Sequence, residues 1–339
     1  MSSDSASGVA PTEFLAFLRS VVPLESHEAL CNSVLPAIID SIADIAKILK
    51  SSHKVALAGS ANAFGDDQLN VDVSAENAVR AAVAKCPAVV TASSEEDPIE
   101  KPARESGNIP AQGTQSEKYT VAFDPLDGSS IIAPNWTVGT IVGIWEGQTA
   151  LHQAPAEKQV AAVLGVLGPR TTAIVAVRVP GTEGICFEIG IGELGAKDSE
   201  IVRPSVRLLQ PPFKTRYFAP ANLRAAAEDQ RYADLFNHFI QQKYTLRYSG
   251  GLVPDVVHAL VKGHGLYISP VTSASKAKLR RLYELFPIAL IIECAGGKAI
   301  DPADGSDILQ RPAKDTDERA GLVCGTAEEV ELAKKSLLQ

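Results

Sequence analysis

Between residues 137 and 190 the chain alternates short apolar runs with turns: TVGTIVGIWEG, VAAVLGVLG, TTAIVAVRV and ICFEIG, separated by GPR and PGTEG. Runs this short, rich in β-branched residues and punctuated by Gly and Pro, specify a β-meander. Upstream, Val34, Ile38, Ile42, Ile45 and Leu49 recur at helical spacing across 29–50, with Pro36 opening or kinking the helix. Residues 13–22 read as another turn or two, stopped near Pro23. Ser74 can cap a helix running to Lys85 and ended by Pro87. Residues 88–92 and KYTVAF (118–123) read as strands, and the polar segment 97–116 between them is long for a bare connection.

The segment 198–213 is charged and broken by prolines, a candidate boundary. Beyond it, strands (215–219, 244–248, 265–268) alternate with helical patterns (222–242, 253–262, 275–295, 326–338). The 339 residues allow one large domain or two of ordinary size. The expectation is a layered α/β protein, with an N-terminal domain over 1–205 and a C-terminal domain over 206–339.

A formal net charge of −8 argues against nucleic acid or an anionic membrane as the main partner, though not against a small anionic substrate. The five scattered cysteines contain no CxxC pair and read as buried reduced thiols. His27, His53, His152, His238, His258 and His264 lack metal-ligand spacing and read as packing or surface residues. No signal-peptide layout opens the chain, and no membrane-spanning apolar run of about 18 residues is expected, so a cytoplasmic setting is the expectation.

The chemical signal lies in acids placed where elements end. GDDQLNVD carries Asp66, Asp67 and Asp72; Glu95, Glu96 and Asp97 follow an apolar strand; DPLDGSS carries Asp124 and Asp127; Glu284 sits on a basic segment read as helix. Hydrolysing a phosphate monoester requires neutralised phosphoryl oxygens, an activated water and a stabilised leaving alkoxide. Two hard divalent cations about 4 Å apart can supply all three. Mg²⁺ wants oxygen ligands and takes only a few carboxylates, with water and substrate completing its shell. In DPLDGSS, Pro125 fixes the turn after Asp124 and Gly128 lets backbone approach a ligand. The N–H groups of Gly128, Ser129 and Ser130 can then cradle phosphate oxygens. In the second half, Arg247 and Tyr248 offer a fork of donors and a phenol, Gly250 and Gly251 permit close approach, and Lys276, Lys278 and Arg280 add positive charge.

Taken in order from about residue 50 onward, FGDDQLNVD, SSEED, DPLDGSS, GPRTT, ANLRA, KYTLRYSGGLVPDV and KAKLRRLYELFP resemble the fructose-1,6-bisphosphatase and sedoheptulose-1,7-bisphosphatase family. The resemblance implies a layered αβαβα sugar-phosphatase fold, with metal and the scissile phosphate held by the first domain and the sugar phosphate by the second. It implies two or more Mg²⁺ per subunit, with Mn²⁺ a possible substitute, a small-molecule sugar bisphosphate as partner, and a homodimer or homotetramer. By position, Glu95, Glu96, Asp124, Asp127, Glu284 and the Leu126 carbonyl look like metal ligands. Asp66 and Asp72, with Glu96, look like the acids that polarise the attacking water. Spacing alone leaves Asp66 and Asp67 open, and the gap of six to Asp72 favours Asp66 by resemblance.

Asp127, Gly128, Ser129 and Ser130 look like the cradle of the cleaved phosphate. Asn222, Arg247, Tyr248, Gly250, Gly251, Lys278 and Arg280 look like contacts to the sugar and its other phosphate, Arg247 across a subunit boundary. Several motifs look closer to the seven-carbon-sugar members, and Ile268, beside Tyr267, stands where fructose-type members carry a tyrosine. The N-terminal helices lack the clustered basic residues of AMP-regulated animal members. KVALAGSANA lacks the redox cysteine pair of plastid members.

Overall fold

The computed structural model describes residues 12–61, 67–104 and 117–339. Five layers stack as helix, sheet, helix, sheet, helix, and the apolar periodicities of the chain account for each. The outer helices are α1 (Glu13–Val21), α2 (Leu24–Ala29), a π-helical turn over Leu30–Val34, and α3 (Leu35–Ser51), with Pro36 in its first turn. The hairpin β1 (Leu57–Ala61) and β2 (Asp67–Leu69) leads into α4 (Asn70–Val83). That helix begins before Ser74. The Asp72 carboxylate reaches back to the Leu69 N–H (2.8 Å), while the Ser74 hydroxyl bonds the Asn70 carbonyl inside the helix.

The first sheet is built from β3 (Val89–Ser94), β4 (Lys101–Pro102), β5 (Tyr119–Asp127), the short α5 (Ser129–Ile132), β6 (Val138–Glu146), α6 (Pro155–Lys158), β7 (Gln159–Leu167), β8 (Thr171–Val177), β9 (Ile185–Gly192) and β10 (Gly195–Arg203). The strand order is β10-β9-β8-β7-β6-β5-β3-β4, so the meander expected over 137–190 is the run from β6 to β9, and β10 extends it by one strand. The charged stretch from 198 is the last of these strands rather than a linker; the chain leaves the sheet after Arg203.

The second half supplies β11 (Tyr217–Pro220), α7 (Gln230–Gln241), β12 (Thr245–Leu246), α8 (Leu252–Lys262), β13 (Leu266–Ser269), β14 (Leu279–Arg280), α9 (Phe286–Cys294), β15 (Lys298–Ile300), β16 (Arg319–Ala320), β17 (Leu322–Gly325) and α10 (Ala327–Leu338). Five of its strands form a sheet in the order β12-β11-β13-β17-β15, and β14 pairs separately with β16.

Successive residues of a strand face opposite layers. Ala173, Val175 and Val177 meet Ile38, Ile42 and Phe14 of the N-terminal helices, whereas Ile174 and Ala176 meet α8 and α9 through Val256, Leu260, Ile288 and Ile291. On the far side of that central helix layer, Tyr267 and Cys324 close the same core. Leu266, Ile268 and Val323 face α7 and α10 through Leu235, Phe239 and Val330. Buried on both faces, the strands need no polar alternation, which is why they read as continuous apolar runs. The helical run Ser26–Ser51 has a mean hydropathy of 1.4 and is, contrary to expectation, long and apolar enough to cross a membrane; 67% of that window is buried inside the fold. It is a core helix by its packing. All five cysteines are buried and free.

Candidate active site

Parallel pairing of β3 with β5 brings their carboxyl ends to one edge of the large sheet, a position at which open α/β sheets bind ligands. Ser94 lies opposite Phe123, and the Glu95 N–H donates to the Phe123 carbonyl (3.0 Å). Glu95 and Glu96 therefore leave β3 beside Asp124, Leu126 and Asp127 at the end of β5. Within DPLDGSS, the Leu126 N–H closes a turn on the Asp124 carboxylate (2.9 Å), and Leu126 is itself buried. Gly128 then adopts φ +98°, a left-handed conformation that favours glycine; a Cβ there would also meet Ile131 at 3.2 Å and Val138 at 3.3 Å. This turn exposes Ser129 and Ser130 next to the buried acids.

The other half of the centre comes from the C-terminal portion. The first N–H groups of α8 hold Asp127, Leu252 at 3.2 Å and Val253 at 2.7 Å. Just before them, Asp255 folds back to accept from Ser249 N–H (2.7 Å) and Gly250 N–H (3.1 Å). Gly250 and Gly251 pack on Ile131 of α5, immediately behind the serines. Glu284 lies in a π-helical turn, Arg281–Leu285, and its carboxylate accepts the Arg280 N–H (2.5 Å). This arrangement corrects the expected helix from residue 275. Residues 276–278 lie outside any helix, Leu279 and Arg280 form a strand against β16, and Lys276, Lys278, Arg280 and Glu284 do not share a helical face. Arg280 is 2% exposed and donates its guanidinium to Glu95, so it stands among the acids rather than in an open basic pocket.

Too many acids meet here for water-poor surroundings. Burial, with Glu95, Asp127 and Glu284 close by, holds the Asp124 carboxyl well above the ordinary carboxylate range. Burial and Glu95 do the same to Glu284. Burial pushes Asp127 up to about 6 against the pull of the Val253 and Leu252 N–H groups. Asp72 also rises to about 6, by burial and then by Glu96 and Glu95, although the Leu69 N–H pulls it down. Among the described residues, its Oδ1 is buried with no hydrogen-bond partner. Glu96 accepts from Gln68 Nε2 (2.5 Å).

Among the described residues, no three His, Cys, Asp or Glu side chains converge closely enough to hold an ion as they stand, since Glu95 turns to Arg280 and Glu96 to Gln68. The donor chemistry nonetheless fits hard cations: oxygens only, buried at Asp124, Asp127 and Glu284 and half-buried at Glu95 and Glu96, mutually repelling, in more copies than Arg280 can neutralise.

The remaining expected residues fall on two further features. Asn222, Arg224, Lys276, Lys278 and Arg319 line a cavity of about 590 Å³. Arg247 and Tyr248 instead line a cavity of about 820 Å³ with Leu49, Trp136, Pro169 and His258. Arg247 lies over the Tyr217 ring, 5.8 Å from its centroid. Ile268 is fully buried and offers nothing to either cavity. Asp66 lies outside the described residues. Sequence reasoning overlooked Asp255, Gln68 and Asp317; only Asp255 had a usable signal, an acid in the first turn of a helix that follows two glycines.

Known proteins share this fold. A Toxoplasma gondii structure described as a sedoheptulose-1,7 bisphosphatase superposes with a TM-score of 0.83 at 33% identity, covering 97% of this chain and 99% of that one. The five-layer architecture is thus that of a sugar-phosphatase fold. The models for the N-terminal and C-terminal domains of fructose-1-6-bisphosphatase match residues 25–197 and 212–338. The chloroplastic sedoheptulose-1,7-bisphosphatase of Spinacia oleracea is 37% identical over 81% of this chain, which spans just under two thirds (66%) of that relative's length. The class 1 fructose-1,6-bisphosphatase of Syntrophotalea carbinolica is 35% identical over 88% of this chain and 87% of its own. The chain belongs to the fructose-1,6-bisphosphatase family.

Proposed function

We propose that the protein hydrolyses the 1-phosphate of sedoheptulose 1,7-bisphosphate, giving sedoheptulose 7-phosphate and phosphate. The observation that carries this reading is the juxtaposition of buried acids with the exposed Gly128–Ser130 turn at one sheet edge. Glu95, Glu96, Asp124, Asp127, Glu284 and the Leu126 carbonyl would hold Mg²⁺ or Mn²⁺. The bound cations would neutralise phosphoryl oxygens and lower the pKa of water.

The chain's own residues do the positioning. The N–H groups and hydroxyls of Ser129 and Ser130 grip the phosphoryl oxygens, and the left-handed Gly128 aims them. Asp72 and Glu96 accept hydrogen bonds from the attacking water and take its proton. The water oxygen bonds to phosphorus as the bond from phosphorus to the C1 oxygen breaks, and that oxygen takes up a proton from solvent as it leaves. Raised carboxyls such as Asp72 are suited to moving protons near neutrality. Asp66 keeps the supporting role that resemblance gives it. Asn222, Tyr248 and Lys278 would face the distal phosphate, and Arg247 would reach it from a neighbouring subunit of a homodimer or homotetramer. A cytoplasmic setting and the division at residue 205 belong to the same reading.

A fructose-1,6-bisphosphatase, or an enzyme accepting both sugars, is the alternative, favoured by relatives bearing that name. Phosphate release from the two bisphosphates, with Mg²⁺ and with EDTA, separates these. Mg²⁺-dependent preference for the seven-carbon sugar is expected. Preference for the six-carbon sugar would move the assignment to the alternative, and release unaffected by EDTA would overturn the metal mechanism.

A further inference from the structure

Three acids follow β3, and the phosphatase reading uses two of them, Glu95 and Glu96. The third, Asp97, closes a turn. Its N–H donates to the buried Ser94 hydroxyl (2.9 Å), and its carbonyl accepts the Ser94 N–H (3.1 Å). Glu95 and Glu96 are the two residues held between these bonds. The Asp97 carboxylate is gripped twice, by Arg80 of α4 (3.4 Å) and by Lys101 of the exposed strand β4 (2.6 Å). Arg80 Nη2 also donates to the Asp97 carbonyl (3.4 Å), the same oxygen that closes the turn.

On α4, Asp72, Glu76 and Arg80 stand four residues apart, so their side chains lie one above another along one face. Asp72 is 4% exposed and Glu76 8%, and Arg80 is half-buried. Charges on a packed helix face are costly unless each is matched. The Glu76 carboxylate accepts the Arg80 Nε–H, which points the fork of the guanidinium towards the Asp97 turn. The guanidinium also lies over the Phe123 ring, 5.8 Å from its centroid.

Phe123 immediately precedes Asp124, and its carbonyl accepts the Glu95 N–H (3.0 Å). One side chain therefore touches all three elements that carry the acids: the helix of Asp72, the turn of Glu95 and Glu96, and the strand of Asp124. Asp72 in turn lies within electrostatic reach of Glu96 and Glu95. Their mutual repulsion would drive these elements apart, and Arg80 opposes that from behind the acids rather than among them.

We propose that Arg80 is a positioning residue of the acidic centre, fixing α4, the Ser94–Asp97 turn and the end of β5 relative to one another and thereby setting the affinity for divalent cations. The assignment rests on the phosphatase reading above. A planar fork can reach Glu76, Asp97 and the Phe123 face together, a geometry that an ammonium cannot reproduce. Groups that orient metal ligands from behind them are worth about 10- to 100-fold in metal affinity or activity. Lys101 supplies the comparison, because it holds the same carboxylate from the exposed edge, where an ion pair contributes little.

Mn²⁺ uptake by electron paramagnetic resonance, Mg²⁺-dependent phosphate release and urea unfolding in EDTA are measured for wild type, Arg80→Lys, Arg80→Ala and Lys101→Ala. Arg80→Lys should weaken Mn²⁺ uptake by about 10-fold and lower kcat by about 10-fold, with KM for the bisphosphate nearly constant. Its unfolding midpoint in EDTA should stay close to that of wild type. Arg80→Ala should lose more, about 100-fold in Mn²⁺ uptake, and Lys101→Ala should change uptake and kcat by less than about 2-fold.

Unchanged Mn²⁺ uptake and kcat in Arg80→Lys would overturn the proposal, as would equal losses in Lys101→Ala. An Arg80→Lys protein that unfolds far more easily, yet takes up Mn²⁺ as wild type does while folded, would make Arg80 a packing residue and overturn it too. Should wild type take up Mn²⁺ in an Arg80-dependent way but release no phosphate from either bisphosphate, the phosphatase reading would fall and the positioning role would be supported.

Discussion

The acidic centre and the basic cavity stand against one another in burial as well as charge. Asp124, Asp127 and Glu284 are buried and fixed by backbone N–H groups, whereas Arg224, Lys276 and Lys278 are exposed and unpaired among the described residues. Burial makes each uncompensated charge expensive, so the acids have their carboxyls pushed up and draw Arg280 in among them. Exposure costs the cations little, and they can wait for a ligand. The difference is one of electrostatic cost: one region holds acids that burial strains, the other keeps its charges at the surface.

The sharpest way to break that contrast is to neutralise one acid. Glu284→Gln should lower kcat by about 10³-fold or more, as expected when a group acting on the transition state is lost, while KM changes little. In EDTA the same variant should melt higher, by about 2 °C, because one repelling charge has gone. A drop in both activity and melting temperature would mean that Glu284 is mainly structural. Next in size, Arg280→Ala removes the cation that offsets Glu95. Leaving buried acids uncompensated should cost about 3 kcal/mol in urea unfolding with EDTA, and Mg²⁺ should restore part of it. Equal loss with and without Mg²⁺ would place the role of Arg280 in packing alone.

Gly128→Ala forces a left-handed alanine against Ile131 and Val138 and should cost about 1–2 kcal/mol of stability, with a fall in kcat as the serines turn away. The smallest effect belongs to Lys276→Ala, whose exposed ammonium should contribute about 3-fold to KM and nothing to kcat. A kcat effect there would blur the separation between the two regions.

Much of this was legible in the chain because its signals are local. DPLDGSS writes its own turn, with Pro125, the Asp124 bond to Leu126 and the left-handed Gly128 all within five residues. The meander announces itself by Gly- and Pro-marked turns between β-branched runs. What escaped was decided at a distance. KAKLRRLYELF has the propensity of a helix, yet Leu279 and Arg280 pair with Ala320 and Arg319, and the Arg280 side chain is drawn to Glu95, 185 residues away in sequence. Ser74 looked like a cap because Ser is a good one, but Asp72 lay closer to the free Leu69 N–H and took it. That Arg247 and Tyr248 line a different cavity from Asn222 and Lys278 is decided by tertiary packing, which no local motif encodes.

The account stands on the acids taking up divalent cations, and that can be observed without any turnover. Electron paramagnetic resonance of Mn²⁺ titrated into wild type and into Asp124→Asn, with inorganic phosphate present, counts the free ion directly. Saturable loss of the free-ion signal in wild type, absent or strongly weakened in Asp124→Asn and competed by Mg²⁺, is the predicted result. Equal uptake by both proteins, or none by either, would contradict the account.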